Sequence, residues 1–348
     1  MKPARVGVVG AGFGAKVHVP AFRRDPRFEV VGIAALRSER ARAAAREAVI
    51  PRAYSSWQEL VDDPLIDVVS VAVPPAAQPE ILERAVKARK HVFAEKPVGG
   101  GGPFSAELAR LADENGRAHA VDFEFPEIDV FQLSRRWLDE GRIGRVRHAS
   151  VSWHIESHAH RHRLNDGWKT SKTAGAGVLG LFLSHSFYYL EWLLRRRVEQ
   201  VRASMASDSE LGLDAADDVV HASLSLEGGL PVVVGASSCS PAGNGHRIEI
   251  HGDRGALVLE NANADYISGF ELTRLEGSHQ LGEQVRSQWQ PRVGVDGRVA
   301  AVASLLERLA DWVETGTRME PNLQDGARIE ALLERARSQR WIASDGTA

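Results

Sequence analysis

The feature that most constrains this chain is a group of glycines directly behind a short apolar run. Arg5-Val6-Gly7-Val8-Val9 leads into Gly10-Ala11-Gly12-Phe13-Gly14-Ala15. The pattern is G-x-G-x-x-A, with Ala15 where a third glycine often stands. Gly10 permits a tight turn, and backbone at Gly12 can approach a pyrophosphate. A small residue at 15 lets the following helix pack on the strand. Phe13 and Gly14 complete the loop. A helix expected through about Arg24 would turn its N-terminal amides toward phosphate oxygens. A glycine-rich turn with no ligand is the plain alternative.

The second apolar run, Phe28–Ala34, ends in Ala35-Leu36-Arg37-Ser38, with no carboxylate before Glu39. An Asp or Glu at this place usually binds the ribose hydroxyls of NAD. Arg37 and Ser38 instead suit a 2′-phosphate, since a guanidinium makes charge-assisted bonds to phosphate oxygens. They point to NADP before NAD; the alternative is a surface arginine at a helix start. Helical patterns over Glu39–Ala48 and Trp57–Val61 follow. Asp67–Val73 is then a continuous apolar strand of the doubly covered, parallel kind. It stops at Pro74-Pro75, which places Val73 and Pro74 among the expected cofactor contacts. Helices over Pro79–Ala88 and Phe104–Asn115 and strands at His91–Phe93 and Arg117–Phe123 complete a doubly wound α/β domain.

Ala94-Glu95-Lys96-Pro97 sits at the mouth of one of these strands, ahead of Gly99–Gly102, a run expected to end regular structure. In an open α/β sheet, ligands bind beyond the carboxyl ends of the strands. An ammonium there can hydrogen-bond a substrate oxygen or move a proton. Lys96 is therefore a candidate for both cofactor and substrate contact, and Glu95 for cofactor contact. A solvated lysine in a loop is the competing account.

The periodicity then changes. Val130–Glu140 reads as an amphipathic helix stopped by Gly141 and Gly144. Strand patterns follow at Val146–Ile155, Val198–Ala206, Val219–Leu226, Pro231–Ser238, Arg247–His251 and Ala256–Glu260. Their short connections argue for an antiparallel sheet. Asn261–Val293 shows no periodicity and is expected to be loop; helices over Val299–Glu314 and Gln324–Ser338 close the chain. In Trp153-His154-Ile155-Glu156-Ser157-His158-Ala159-His160-Arg161-His162, alternate positions share one face if the strand persists. His154, Glu156 and His158 are candidate substrate contacts. Arg161 and Arg163 favour a solvated loop after about Ser157, and no metal is assigned to the histidines. Trp168 suits an apolar ring face, or core packing, and Lys169 suits an anionic group.

Charge narrows the partners. Net charge is −3 without a block of like charge, so nucleic acid and anionic membrane are poor partners. A single cysteine, Cys239, allows no intrachain disulfide and fits a reducing cytoplasm. Neither a signal peptide nor an apolar run long enough to span a bilayer is evident.

Taken together, the glycine loop, Glu95-Lys96-Pro97, Gly141-Arg142-Ile143-Gly144, and Gly175-Ala176-Gly177-Val178-Leu179 followed by His185 resemble the Gfo/Idh/MocA oxidoreductases over nearly the whole length. The resemblance implies a Rossmann domain over residues 1–124. It also implies an α+β domain over 125–348 with a large, mostly antiparallel open sheet, the last helix packing back on the first domain. It implies NAD(P), a sugar, cyclitol or small polyol, and a homodimer or homotetramer built through that sheet. Lys96 matches the family's active-site lysine and His185 its histidine. The family's Asp–His–Asp helix is here Leu181, His185 and Tyr188, so Tyr188 or Tyr189 becomes a candidate proton donor. Two other readings accompany the dehydrogenase: a net non-redox reaction through transient oxidation, and a non-catalytic dinucleotide-dependent sensor.

Overall fold

The computed structural model describes residues 2–164, 168–207, 215–263, 265, 267–277, 280–290, 294 and 296–339. The chain divides into two compact units, Met1–Glu127 with Pro291–Glu330 and Ile128–Gln290 with Ala331–Ala348.

The first unit is a six-stranded parallel sheet. Its strands are β1 (Ala4–Val9), β2 (Phe28–Ala34), β3 (Arg52–Ala53), β4 (Val68–Val71), β5 (His91–Ala94) and β6 (His119–Val121). Their order, β3-β2-β1-β4-β5-β6, reverses direction between β1 and β4, the place where open α/β sheets hold ligands. β4 and β5 are wholly buried, as parallel strands covered on both faces must be. Helices α1 (Val19–Phe22), α2 (Ser38–Glu47), α3 (Trp57–Asp62), α4 (Gln78–Lys87) and α5 (Gly101–Glu114) cover it. Gly99 and Gly100 make the left-handed turn after Lys96 with φ of 82° and 75°, and α5 already opens at Gly101. The glycine run is thus turn in its first half and helix in its second.

A later helix, α9 (Arg298–Thr315), belongs to this unit. Its Val302, Leu305, Leu306 and Leu309 share one apolar core with Val6, Val8, Phe22 and Phe93. The first part of α10 (Leu323–Ser338), through Glu330, belongs here too.

The second unit opens with α6 (Asp129–Asp139), which buries Val130, Phe131 and Trp137. Its sheet has eight strands: β7 (Val146–His154), β8 (Val198–Ala206), β9 (Val219–Leu226), β10 (Leu230–Ser237), β11 (Gly245–Gly252), β12 (Gly255–Asn261), β13 (Glu271–Glu276) and β14 (Gln280–Arg286). The order is β14-β13-β12-β11-β7-β10-β9-β8, antiparallel throughout except for β7 beside β10. α7 (His158–Arg161), α8 (Ser184–Leu194) and the end of α10 from Ala331 also belong to the unit. The hairpin β13–β14 corrects the expectation of loop over Asn261–Val293. Its pattern is masked because β14 is an edge strand with Leu281 turned to solvent, so the apolar alternation fails.

Candidate functional site

The glycine loop is shaped by three different demands. Gly10 has φ +131°, and a Cβ there would lie 2.1 Å from the Ala72 carbonyl oxygen. A Cβ on Gly14 would lie 2.8 Å from Val8 Cγ1, so the close helix–strand contact expected at Ala15 falls on Gly14. Ala15 packs half-buried against the same core. A Cβ on Gly12 would meet nothing within 4 Å. The space a side chain would fill there is open at the start of a helix, and it fits a dinucleotide pyrophosphate. Phe13 is covered by the Arg298 guanidinium, 4.5 Å from its ring centre, while Asp296 holds Arg298 in a two-pronged pair.

The helix behind the loop starts with a widened turn. Val19 N–H donates to Gly14 O, a five-residue step. Pro20 follows and has no N–H for an ordinary helical bond, which accounts for the widening. The turn carries His18 inward. Its Nδ1 is 2.8 Å from Ser70 Oγ, and its Nε2 is 3.1 Å from Glu95 Oε1 and 3.4 Å from Asp122 Oδ2. Backbone bonds fix the two carboxylates beside each other. Glu95 N donates to Val71 O and Asp122 N to Ala94 O, both at 2.9 Å. Gln78 Nε2 donates to Pro97 O at 2.7 Å, and Gly99 N to Glu330 Oε1 at 2.6 Å, so the segment around Lys96 is tied on both sides.

Charge in this pocket is heavily perturbed. Burial disfavours the His18 cation, yet hydrogen bonds to Asp122 and Glu95 more than reverse that and raise it to about 9. Burial and the Glu95 charge push Asp122 up to about 7. Glu124 is raised well above its ordinary value by burial and by Asp122. Glu95, half-buried, would be raised by desolvation but is held low by His18. Burial lowers Lys96 against the opposite pull of Glu95, Glu124 and Asp122. His18, Glu95 and Asp122 place three ligand atoms within 4.8 Å of one another, a spacing that also suits a small cation. A protonated imidazole offers no lone pair, so the trio reads as an ion-pair network. His18, Asp122, Glu124 and Arg298 are site residues that motif reading missed.

Beyond the carboxyl end of β2, Arg37 is exposed and Ser38 half-buried at the start of α2. Ser38 Oγ accepts from Arg42 and donates to Glu39, both at 3.3 Å. Arg42 thus adds a second guanidinium beside Ser38. Val73 and Pro74 lie half-exposed beyond β4.

In the second unit, Gly177 has φ +116° and passes so near Asp217 that a Cβ would lie 2.2 Å from its Oδ1. Leu179 N donates to Asp217 Oδ2 at 2.7 Å, which sets the start of the widened turn Leu179–Leu183 leading into α8. His185 is buried near Trp153, ring centres 6.2 Å apart. Trp153 stacks on Phe182 at 4.6 Å and on His246 at 4.1 Å. Leu181 is half-exposed, and Tyr188 is 6% exposed.

Two assignments change. Strand alternation sends Trp153 toward His185, so His154 points to the opposite face. There its Nδ1 is 2.9 Å from Ser237 Oγ and its ring lies beside His221. His154 therefore does not share a surface with His185. Tyr189 is fully buried, its hydroxyl 2.9 Å from His246 Nε2 and donating to Ser186 Oγ at 3.0 Å. It closes the core of the unit and has no open side for a substrate. The histidine run also breaks early. Ser157 Oγ accepts from His160 N, which turns His158–Arg161 into a short helix. Glu156 accepts from Arg161 Nε at 2.9 Å, His158 is exposed, and His160 faces Asp218 at 3.1 Å. Trp168 and Lys169 form an exposed turn, with Lys169 Nζ 5.9 Å from the Trp168 ring centre.

Comparison with known proteins places these units. Residues 4–123 match the oxidoreductase family with an NAD-binding Rossmann fold, and residues 131–258 the Gfo/Idh/MocA C-terminal domain. An uncharacterized oxidoreductase of Synechocystis sp. is 27% identical over 97% of this chain and 95% of its own length. Levoglucosan dehydrogenase of Pseudarthrobacter phenanthrenivorans is 24% identical, with 98% of each chain covered. A levoglucosan dehydrogenase structure with NADH and levoglucosan superposes with a TM-score of 0.84 at 24% identity, over 98% of this chain and 99% of its own. A 3-ketoreductase from Actinomadura kijaniata, in a complex with NADP, superposes with a TM-score of 0.81 at 22% identity, over 97% and 98%. At these identities the superpositions speak for the fold alone. The matched domains and the relatives that span the chain end to end make it a member of the Gfo/Idh/MocA oxidoreductases.

Proposed function

We propose that this oxidoreductase moves hydride between a nicotinamide cofactor and a hydroxyl or carbonyl of a sugar, cyclitol or related polyol, with NADP(H) preferred over NAD(H). The observation that carries the reading is Lys96. It stands at the carboxyl end of a buried parallel strand, against buried carboxylates, in the same unit as a loop shaped for pyrophosphate. The nicotinamide, when bound, supplies or takes the hydride. Lys96 hydrogen-bonds the reacting oxygen and in the reducing direction gives it a proton. Burial makes its ammonium a readier donor than a free lysine. His185 contacts the substrate beside the Trp153–Phe182 stack, and Tyr188 is the remaining candidate phenol on α8. The ring of Trp168 and the charge of Lys169 suit a sugar face and an anionic substituent. His158 and Glu156 are retained as outer contacts. Arg37, Ser38 and Arg42 support the choice of NADP(H). The solvent-facing residues of β8, β9 and β10 offer a face for a homodimer or homotetramer. Among the described residues no helix is long and apolar enough to cross a membrane, and a cytoplasmic place suits the one cysteine.

The test combines mass spectrometry of the purified protein, native and then denatured, with an absorbance screen of NADP and NAD against a polyol panel. A co-purifying or tightly bound dinucleotide and oxidation of at least one polyol are expected. Dinucleotide and sugar binding without turnover of any substrate would favour a sensor instead.

A further inference from the structure

The buried charges behind Lys96 form a system of their own. Three carboxylates, Glu95, Asp122 and Glu124, face two cations, His18 and Lys96. Every packed element contributes: His18 comes from the helix behind the glycine loop, and Ser70 from β4. Glu95 and Lys96 follow β5, Asp122 and Glu124 follow β6, and Arg298 on α9 adds a further positive charge. A single imidazole edge meets both Glu95 and Asp122, at 3.1 and 3.4 Å, and its one N–H there cannot satisfy two carboxylates. The other nitrogen is committed to Ser70. Asp122 is 1% exposed and its Oδ1 receives no hydrogen bond. Two carboxylates this close, Asp122 sealed from water and Glu95 half-buried, do not both stay ionised; one proton between them removes the repulsion.

We propose that Glu95 and Asp122 share one proton and act as the proton store that recharges Lys96 during turnover. The inference rests on Lys96 being the group that meets the substrate oxygen. In the reducing direction the carbonyl carbon takes hydride from the reduced nicotinamide and the carbonyl π bond breaks onto oxygen. A Lys96 N–H bond then breaks and its proton forms the new O–H bond, leaving a neutral amine. The shared proton passes from the carboxyl pair to that amine, and water returns a proton to the pair. The oxidising direction runs the same transfers backward. The poise of the pair suits this role, since Asp122 titrates near neutral pH, where a proton is both held and released. Asp122 does not touch substrate; it acts through Lys96 and Glu95.

The experiment follows steady-state reduction and a single turnover, as functions of pH, for the parent, Asp122→Asn, Asp122→Glu and Lys96→Ala, each in full length. Titration with NADPH confirms that each variant is folded. In the parent, kcat should fall as pH rises through about 7. In Asp122→Asn that step should vanish and kcat should drop about tenfold with KM nearly unchanged, a part of the usual acid–base contribution. Its first turnover, which uses the proton already on Lys96, should stay closer to that of the parent. Asp122→Glu should restore a step at a shifted pH. A parent without a step near neutrality overturns the proposal by itself, as does a step unmoved in either Asp122 variant. If Asp122→Asn fails to bind NADPH, the position of the step in Asp122→Glu decides. Should Lys96→Ala turn over like the parent, it is the assignment of Lys96 that falls. If Lys96 is essential while Asp122→Asn matches the parent, only the proton store falls.

Discussion

Arg37, Lys96 and His18 show how unevenly single residues can be read. Arg37 is visible because it replaces an expected carboxylate, and the structure leaves it exposed beside Ser38 and Arg42. Arg37→Ala should weaken NADPH binding about ten- to hundredfold, the usual worth of a charge-assisted phosphate contact, and leave NADH binding unchanged. Fluorescence titration of both cofactors decides this; equal losses for the two would remove the phosphate contact from the account. Lys96 is visible from its place between a buried run and a glycine turn. His18 carries no such mark, because its role depends on Pro20 widening the turn before it and on strands far along the chain. Asp122 and Glu124 are hidden for the same reason: nothing local says that two acidic residues after a short strand are buried.

At the scale of elements, period-two alternation was legible and its phase was not. The apolar pattern marks β7 nearly to its ends, yet the face that looks toward α8 carries Trp153 and not His154. Counting helix turns from His185 likewise left Tyr188 and Tyr189 equivalent, whereas packing separates them. Tyr189 joins α8 to β11 through His246 in a core with Phe131 and Phe270. Tyr189→Phe should therefore cost about 1–3 kcal/mol of stability, because a buried imidazole nitrogen loses its partner, with little change in the chemical rate. Tyr188→Phe should do the reverse, slowing hydride transfer while substrate affinity stays near that of the parent. Chemical denaturation and single-turnover rates on both variants test the pair, and a slow, stable Tyr189→Phe would contradict it. The edge hairpin β13–β14 is illegible because β14 meets water on both faces, so no buried face imposes an apolar alternation on it.

Over the whole molecule, the doubly wound half and the mostly antiparallel half could both be anticipated from the change in periodicity after about residue 125. The membership of α9 could not, since an amphipathic helix does not say which core its apolar stripe joins. Buried histidines give the molecule a pH signature. Burial holds His91 down to about 4 and His246 down to about 3, so their contribution is present above the ordinary 6.5 and is lost as pH falls toward those values. His18 is raised to about 9, so its contribution is complete below 6.5 and is lost as pH rises through 9. Asp122, raised to about 7, adds to the loss as pH climbs from 3.8 toward 7. The denaturation midpoint should accordingly decline between about pH 6.5 and 9, and His18→Gln should flatten that decline; an unaltered slope would place His18 outside the charge network. The most direct test of the central claim is the single-turnover absorbance of the reduced nicotinamide with an active polyol or ketone, in parent and Lys96→Ala. The account predicts equal cofactor binding and a loss of hydride transfer of about a hundredfold or more in the variant. A variant that transfers hydride as fast as the parent would contradict it.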